Sequence, residues 1–78
     1  MIYDPTLIQQ GYAPSVVDEA DENTTYIGYF KNGNPIYAVI QLVKKTGNVT
    51  EFLYPFGQFL FNFDWDERAN YPYNFRTN

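Results

Sequence analysis

The chain has 78 residues, of which 45% are hydrophobic and 21% aromatic, and its formal net charge is −4. Histidine and cysteine are absent and Ser15 is the only serine, so the usual nucleophiles and the usual neutral-pH base are almost entirely missing. The same absences exclude disulfides and nearly every structural zinc site, and the acidic balance is unlike that of nucleic-acid-binding proteins. We therefore expect one small domain that is not an enzyme and has no cofactor, no nucleic-acid partner and no membrane-spanning segment.

A chain of this length gains little stability from its own core. Ordering each residue costs about 1.5 kcal/mol, so about 120 kcal/mol has to be offset by burial. Small domains usually add disulfides, metals or association, and this chain has no cysteine. Association or a very efficient core remain as the two solutions, and we expect a homo-oligomer or a multi-copy assembly.

The N-terminal residues follow neither a helical nor a strand period. Two prolines and a glycine interrupt them, and residues 18–22 hold four of the nine acidic residues. We predict an extended N-terminal arm over residues 1–22 and a small β-domain over residues 23–78. The arm's apolar side chains should lie against a neighbouring subunit or the chain's own domain, which gives as predicted interface residues Ile2, Tyr3, Leu7, Ile8 and Tyr12.

Strand patterns begin at residue 24. Residues 24–30 are rich in β-branched and aromatic side chains, and the Asn32-Gly33 pair after them is a strong hairpin signal. Connections of two to five residues are too short for parallel crossovers. The prediction is an all-β fold, a small antiparallel meander of three to four strands, with Gly33 and Gly57 in its turns and strands over residues 24–30, 36–45, 49–54 and 58–61.

The central strand has no polar face. One side would show Ile36, Ala38, Ile40 and Leu42, and the other would show Tyr37, Val39, Gln41 and Val43. A free-standing antiparallel sheet normally presents one face to water, so something must cover the second face. The candidates are the arm, the C-terminal segment and another subunit, and Tyr37 and Val39 are accordingly predicted as interface residues.

The C-terminal segment contains the only tryptophan, Trp65. Asp64 is placed to cap a short helical turn, with Asp66 and Glu67 near its positive end and Arg68 further along. We expect Trp65 to close the core and Arg68 to pair with Asp64 or Asp66, or to cap a strand end. The three carboxylates also suit a calcium ion, but their spacing matches no EF-hand, and the capped turn is the preferred interpretation.

Several sequence pieces together form a known pattern: Tyr26-Ile27-Gly28-Tyr29, the Lys44-Lys45 strand end, Gly57 before an aromatic residue pair, and Phe63-Asp64-Trp65-Asp66-Glu67-Arg68-Ala69-Asn70-Tyr71-Pro72-Tyr73. They resemble, over residues 24–73, a group of small tailed-bacteriophage proteins with a tyrosine-rich glycine strand and a closing Asp-Trp-Asp-x-Arg-Ala element. This chain departs from the group at Val39-Ile40-Gln41, where members tend to carry a tryptophan, and at Phe56, where they tend to carry Asp or Ala. We expect structural roles for Gly28, Gly33, Gly57, Trp65 and Arg68.

The resemblance implies a non-enzymatic virion structural protein. It would act as capsid decoration or cement, or as a neck or tail accessory component, through contacts with other phage virion proteins. It would be made in the cytoplasm of a bacterial host and end in the virion. A second hypothesis is a small acidic inhibitor of a host defence enzyme, although the acidic residues cluster in the arm and a DNA mimic spreads its charge along one face.

Overall fold

The computed structural model describes residues 3–77, which form a five-stranded antiparallel sheet in the order β1-β2-β3-β4-β5. The strands are β1 (Ala13–Asp21), β2 (Thr24–Lys31), β3 (Asn34–Thr46), β4 (Val49–Pro55) and β5 (Tyr73–Asn74). Helix α1 (Pro5–Gln9) precedes the sheet, and a 3₁₀ helix (Trp65–Asn70) lies between β4 and β5 along the chain. The predicted all-β antiparallel meander with a short helical turn near its C-terminus is confirmed, with more strands than the three to four expected.

The β2–β3 connection is the one that the Asn-Gly pair predicts. Asn32 and Gly33 have φ angles of 57° and 71°, and a two-residue type I′ turn needs such left-handed backbone at both positions. Glycine adopts this conformation without steric cost, and asparagine adopts it more readily than most residues. The twist of this turn matches the twist of the two strands that it joins.

Helix α1 occupies the start of the segment that was predicted to be an extended arm. Asp4 caps it, because its Oδ1 accepts a hydrogen bond from the Thr6 N–H at 2.9 Å, and Pro5 stands at the first helical position. The helix is only five residues long, so packing rather than intrinsic propensity holds it in place. Leu7 supplies that packing, since its side chain is fully buried.

Strand β1 occupies most of the remaining arm and corrects the predicted domain boundary. It pairs with β2 along its length, with register shifts between Pro14 and Val16 and between Glu19 and Asp21. Such bulges insert an extra residue and break the period-two alternation that identifies a strand in a sequence. The predicted boundary at residue 22 therefore falls inside the β1–β2 hairpin.

The chain itself covers the core of both faces of the sheet. On one side, here called the α1 face, Leu7 packs in a cluster with Tyr12, Ile27, Tyr29, Val39, Tyr54 and Phe59. On the other side, here called the tryptophan face, Trp65 packs with Ala38 and Ile40. Of the three candidates for covering the central strand, the N-terminal segment therefore covers one face and the C-terminal segment covers the other.

Three predicted interface residues belong to this core, and their assignment was wrong. Leu7, Val39 and Tyr12 are 0%, 1% and 8% exposed, which leaves almost no surface for a partner. Leu7 points inward from α1, and Val39 points to the α1 face because alternate residues of β3 face opposite sides.

Residues 58–61 do not form the predicted strand. The backbone takes left-handed φ angles of 56° at Phe56 and 66° at Leu60, a conformation foreign to β-strands. The chain rejoins the sheet at Phe63, which exchanges backbone hydrogen bonds of 2.7 and 2.9 Å with Ala38. An apolar run predicted a strand here, and nothing in the residue types announces left-handed backbone at a phenylalanine or a leucine.

Candidate functional site

Gly28 and Trp65 are predicted structural residues that lie in direct contact. A Cβ built on Gly28 would lie 2.7 Å from Trp65 Cε3 and 2.8 Å from Val16 Cγ2. Phe30 meets the indole edge-on, with 6.4 Å between ring centroids. Gly28 is therefore needed because the tryptophan ring approaches the β2 backbone closely, and Trp65 is buried as expected.

Arg68 joins the 3₁₀ helix to β1. Its Nε and Nη2 donate to Asp18 Oδ2 at 3.0 and 2.8 Å, and its Nη1 donates to the Trp65 carbonyl at 3.0 Å. The guanidinium carbon also lies 4.4 Å from the centroid of the Trp65 ring. Arg68 thus pairs with a carboxylate as predicted, but the partner is Asp18 and not Asp64 or Asp66. Asp64 Oδ1 instead caps the helix by accepting from the Asp66 N–H at 3.0 Å.

Two of the three carboxylates of this segment have structural partners. Asp64 is the helix cap that the sequence predicted, and Glu67 Oε2 accepts from Asn70 Nδ2 at 2.7 Å. Within residues 3–77, no group of three or more acidic side chains is placed to hold a metal ion.

An aromatic surface, formed by Phe56, Phe61, Phe63 and Tyr71, lies beside the 3₁₀ helix. Phe63 is at its centre, with ring centroids 5.9 Å from Phe56, 6.4 Å from Phe61 and 5.1 Å from Tyr71. Phe56 and Phe61 are 50% and 57% exposed. The sequence analysis did not assign these residues to an interface, although five of the seven phenylalanines fall between residues 52 and 63.

The remaining predicted interface residues that the structure describes do not join this surface. Tyr3, Ile8 and Tyr37 are exposed, and Ile2 lies outside the residues that the structure describes. Tyr3 contacts Tyr29 edge-on at 6.4 Å, on the α1 face. An interface role for these residues stays a prediction.

The predicted turn glycines have different surroundings. Gly33 lies in open space with left-handed backbone. Gly57 combines a φ of 68° with a close approach, because a Cβ there would lie 2.7 Å from the carbonyl oxygen of Phe75. The backbone of Gly57 also accepts a hydrogen bond from the Thr77 N–H at 2.9 Å, so Gly57 ties the C-terminal residues to the end of β4.

A cleft of about 430 Å³ opens on the α1 face, between the start of α1 and strands β3 and β4. Its volume is within the range of small-ligand pockets. Its walls combine aromatic rings with a carboxylate, an amide and hydroxyl groups, and its lining residues are Tyr3, Asp4, Pro5, Thr6, Gln41, Phe52 and Tyr54.

Four residues close a ring of hydrogen bonds at this cleft. The Tyr29 hydroxyl accepts from the Asp4 N–H at 3.1 Å and donates to Gln41 Oε1 at 2.9 Å. Gln41 Nε2 donates to the Tyr54 hydroxyl at 3.0 Å, and that hydroxyl donates to Asp4 Oδ2 at 3.4 Å. The ring explains why a polar residue, Gln41, interrupts the apolar central strand.

The two phenols of this ring are buried, and burial disfavours their ionised form. It raises the pKa of Tyr29 to about 12 and also raises the pKa of Tyr54, while the nearby Asp4 carboxylate acts in the same direction on both. A tyrosine with an elevated pKa remains a hydrogen-bond donor at neutral pH. Both hydroxyls therefore serve as fixed donors that orient Gln41 and Asp4.

Comparisons of this chain with protein-family models, curated protein sequences and solved structures found no match. Among the helices within residues 3–77, none is long and apolar enough to cross a membrane.

Proposed function

We propose that this protein is a non-enzymatic structural component of a bacteriophage virion. In this proposal the β-domain attaches to capsid, neck or tail proteins as decoration, cement or an accessory component, in many copies per particle. The resemblance of residues 24–73 to small tailed-phage proteins supports the virion assignment. The aromatic surface is the main support for the proposal that the protein acts by binding other proteins.

The aromatic surface has the properties of a protein-binding surface. Phe56 and Phe61 each expose at least half of their side chains, while Phe63 and Tyr71 pack beside them. Large rigid rings are enriched in protein interfaces because each buries much apolar area and loses little conformational entropy. Contiguous exposed apolar residues of this kind typically mark interaction sites.

The side-chain chemistry supports binding rather than catalysis. The hydroxyl of Ser15 donates to the Ala13 carbonyl at 2.8 Å, and the chain has no histidine to activate it. At the cleft, the raised pKa of Tyr29 and of Tyr54 moves both phenols further from ionisation at neutral pH, which disfavours an acid–base or nucleophilic role.

Mass spectrometry of gradient-purified particles tests the virion assignment. We expect peptides of this chain in many copies per particle, and particles without such peptides would refute the proposal. The contact surface is tested with the double variant Phe56→Asn and Phe61→Asn, in which asparagine tolerates the left-handed backbone of residue 56. The matched control is Phe75→Asn, because Phe75 is 59% exposed and lies outside the aromatic surface.

We expect the double variant to fold and to be missing from particles, while the Phe75 variant is incorporated normally. Equal incorporation of both would show that the aromatic surface is not the attachment site. Near-ultraviolet circular dichroism and thermal melting of each variant verify that folding is retained.

The alternative is a small acidic inhibitor of a host defence enzyme. The placement of its charges argues against it: Asp18 is paired with Arg68 at 2.8 Å, and Asp21 accepts from the Asn23 N–H at 2.8 Å. A pull-down from infected-cell lysate separates the two functions, since an inhibitor recovers one host enzyme and a virion component recovers capsid, neck or tail proteins.

A further inference from the structure

The cleft on the α1 face contains the carboxylate of Asp4, which forms no ion pair with a lysine or arginine of the residues that the structure describes. Asp4 Oδ1 accepts from the Thr6 N–H at 2.9 Å, and Asp4 Oδ2 accepts from the Tyr54 hydroxyl at the long distance of 3.4 Å. A carboxylate offers about four acceptor positions, and the residues that the structure describes use two of those of Asp4. Of the lysines and arginines within residues 3–77, none lies within 4.0 Å of this carboxylate.

The same carboxylate is held in a fixed position. The Asp4 N–H bonds to Tyr29, and its side chain caps α1 and contacts Tyr54. A ligand that binds it therefore does not have to order a mobile side chain, which lowers the entropic cost of binding.

Aromatic rings stand beside the carboxylate. Tyr3, Phe52 and Tyr54 line the cleft together with Asp4, and the rings of Tyr3 and Phe52 are partly exposed. A cation placed against an aromatic ring is attracted to the negative face of that ring. A planar guanidinium adds stacking to this attraction, which a compact ammonium group does not provide.

The Arg68 contact shows this combination elsewhere in the same molecule. There a guanidinium lies 4.4 Å from an aromatic ring centroid while it donates to the carboxylate of Asp18 at 2.8 Å. The cleft presents aromatic rings and the Asp4 carboxylate, and no arginine within residues 3–77 pairs with that carboxylate within 4.0 Å, although Arg76 is near enough to lower the pKa of Tyr54. Two described cations near the α1 face stack on other rings, Lys31 on Tyr12 at 5.4 Å and Arg76 on Phe59 at 3.9 Å.

We propose that this cleft binds the guanidinium group of an arginine side chain presented by a partner protein. The guanidinium donates to Asp4 Oδ2 and stacks against Tyr3 or Phe52. The hydrogen bonds that join Asp4 to Tyr29, Gln41 and Tyr54 keep the carboxylate in place. The net charge of −4 favours the approach of a basic partner. This inference is independent of the virion assignment and concerns a different surface from the aromatic one.

The experiment is a titration of the 78-residue, ¹⁵N-labelled protein with N-acetyl-arginine amide, followed by NMR. N-acetyl-citrulline amide serves as the neutral probe of nearly the same shape. We expect the arginine probe to shift the Gln41 side-chain amide and the Thr6 backbone amide, with a dissociation constant of about 1–10 mM, typical of one charge-assisted contact with one ring contact. The citrulline probe should bind at least about tenfold more weakly.

The matched variants are Asp4→Asn and Glu22→Gln, which change the net charge equally. Asparagine is as good a helix cap as aspartate, so Asp4→Asn removes the charge while α1 is retained. Glu22 is exposed in the β1–β2 turn, away from the cleft. We expect Asp4→Asn to weaken binding of the arginine probe about tenfold or more and Glu22→Gln to leave it unchanged.

If Asp4→Asn does not fold, Phe52→Leu keeps the wall apolar, removes a ring, and should weaken binding about two- to fivefold. Equal binding of the two probes, unchanged binding by the variant tested, absence of shifts, or shifts confined to residues outside the cleft would each overturn the proposal. None of these outcomes bears on incorporation into particles, so failure here and failure of the proposed function are distinguishable.

Discussion

Replacing Gly28 with alanine should displace Trp65 from its site on β2. The added methyl group would lie 2.7 Å from Cε3 and 2.9 Å from Cζ3 of the indole, and 2.8 Å from Val16 Cγ2. The indole is a rigid ring held by Phe30 at its edge and by the Arg68 guanidinium against it. The clash therefore cannot be relieved by turning the end of a flexible side chain.

Two opposing effects determine the size of the change. Overpacking a core typically costs about 1–3 kcal/mol. Alanine restricts the unfolded chain more than glycine and returns about 0.4–1 kcal/mol where the backbone φ is not left-handed, as at this position. We expect Gly28→Ala to lower the free energy of unfolding by about 1–2 kcal/mol, which corresponds to a melting temperature lower by about 5–15 °C for a domain of this size.

A double-mutant cycle with Trp65→Leu assigns the cost to the contact itself. Leucine removes both indole contacts and gives the Val16 methyl group space to move aside, so Gly28→Ala in the leucine background should be neutral or stabilising by up to about 1 kcal/mol. The coupling free energy between the two sites should then be about 1–3 kcal/mol, measured by urea denaturation. A Gly28→Ala protein that melts at or above the wild-type temperature, or an equal cost in both backgrounds, would refute the reasoning.

Three further predictions concern Arg68, Tyr29 and the N-terminal segment. Arg68→Ala should lower the free energy of unfolding by about 1–2 kcal/mol, and Asp18→Asn should lower it by only about 0.5–1 kcal/mol. The guanidinium also covers Trp65, whereas its partly exposed ion pair with Asp18 is weak. Equal effects of the two variants in urea denaturation would contradict this. The pKa of Tyr29 is raised by burial to about 12, so the unfolded chain releases this proton first. The contribution of Tyr29 to stability is therefore fully present below pH 10, and the free energy of unfolding should decline by about 1–3 kcal/mol between pH 10 and 12. Melts of Tyr29→Phe over this range should show a shallower decline. An unchanged slope would exclude Tyr29 as the cause. Deletion of residues 1–22 removes β1 and buried Leu7, so the remaining chain should unfold and lose its dispersed NMR amide spectrum. Retention of that spectrum would show that residues 23–78 fold without the N-terminal segment.

Local signals were sufficient for the antiparallel meander. Asn32 and Gly33 specify a turn through their own backbone preferences, and short connections exclude parallel crossovers. Asp64 similarly predicts its own helix cap, because the acceptor and the N–H that it binds are two residues apart. Interactions between residues close in sequence can be predicted from the sequence because the residue types themselves determine them.

The tertiary structure alone decided which residues the N-terminal segment touches. Asp18 and Arg68 are 50 positions apart, and no residue pattern indicates such a pair. The bulges of β1 hide its alternation. The hydrogen-bond ring at Gln41 draws its members from β2, β3 and β4 and from Asp4, the residue before α1. The transfer free energy of an apolar side chain is the same whether its own domain or a partner covers it. The sequence therefore could not distinguish core from interface for Leu7, Tyr12 and Val39, and only the folded chain shows which surface covers them.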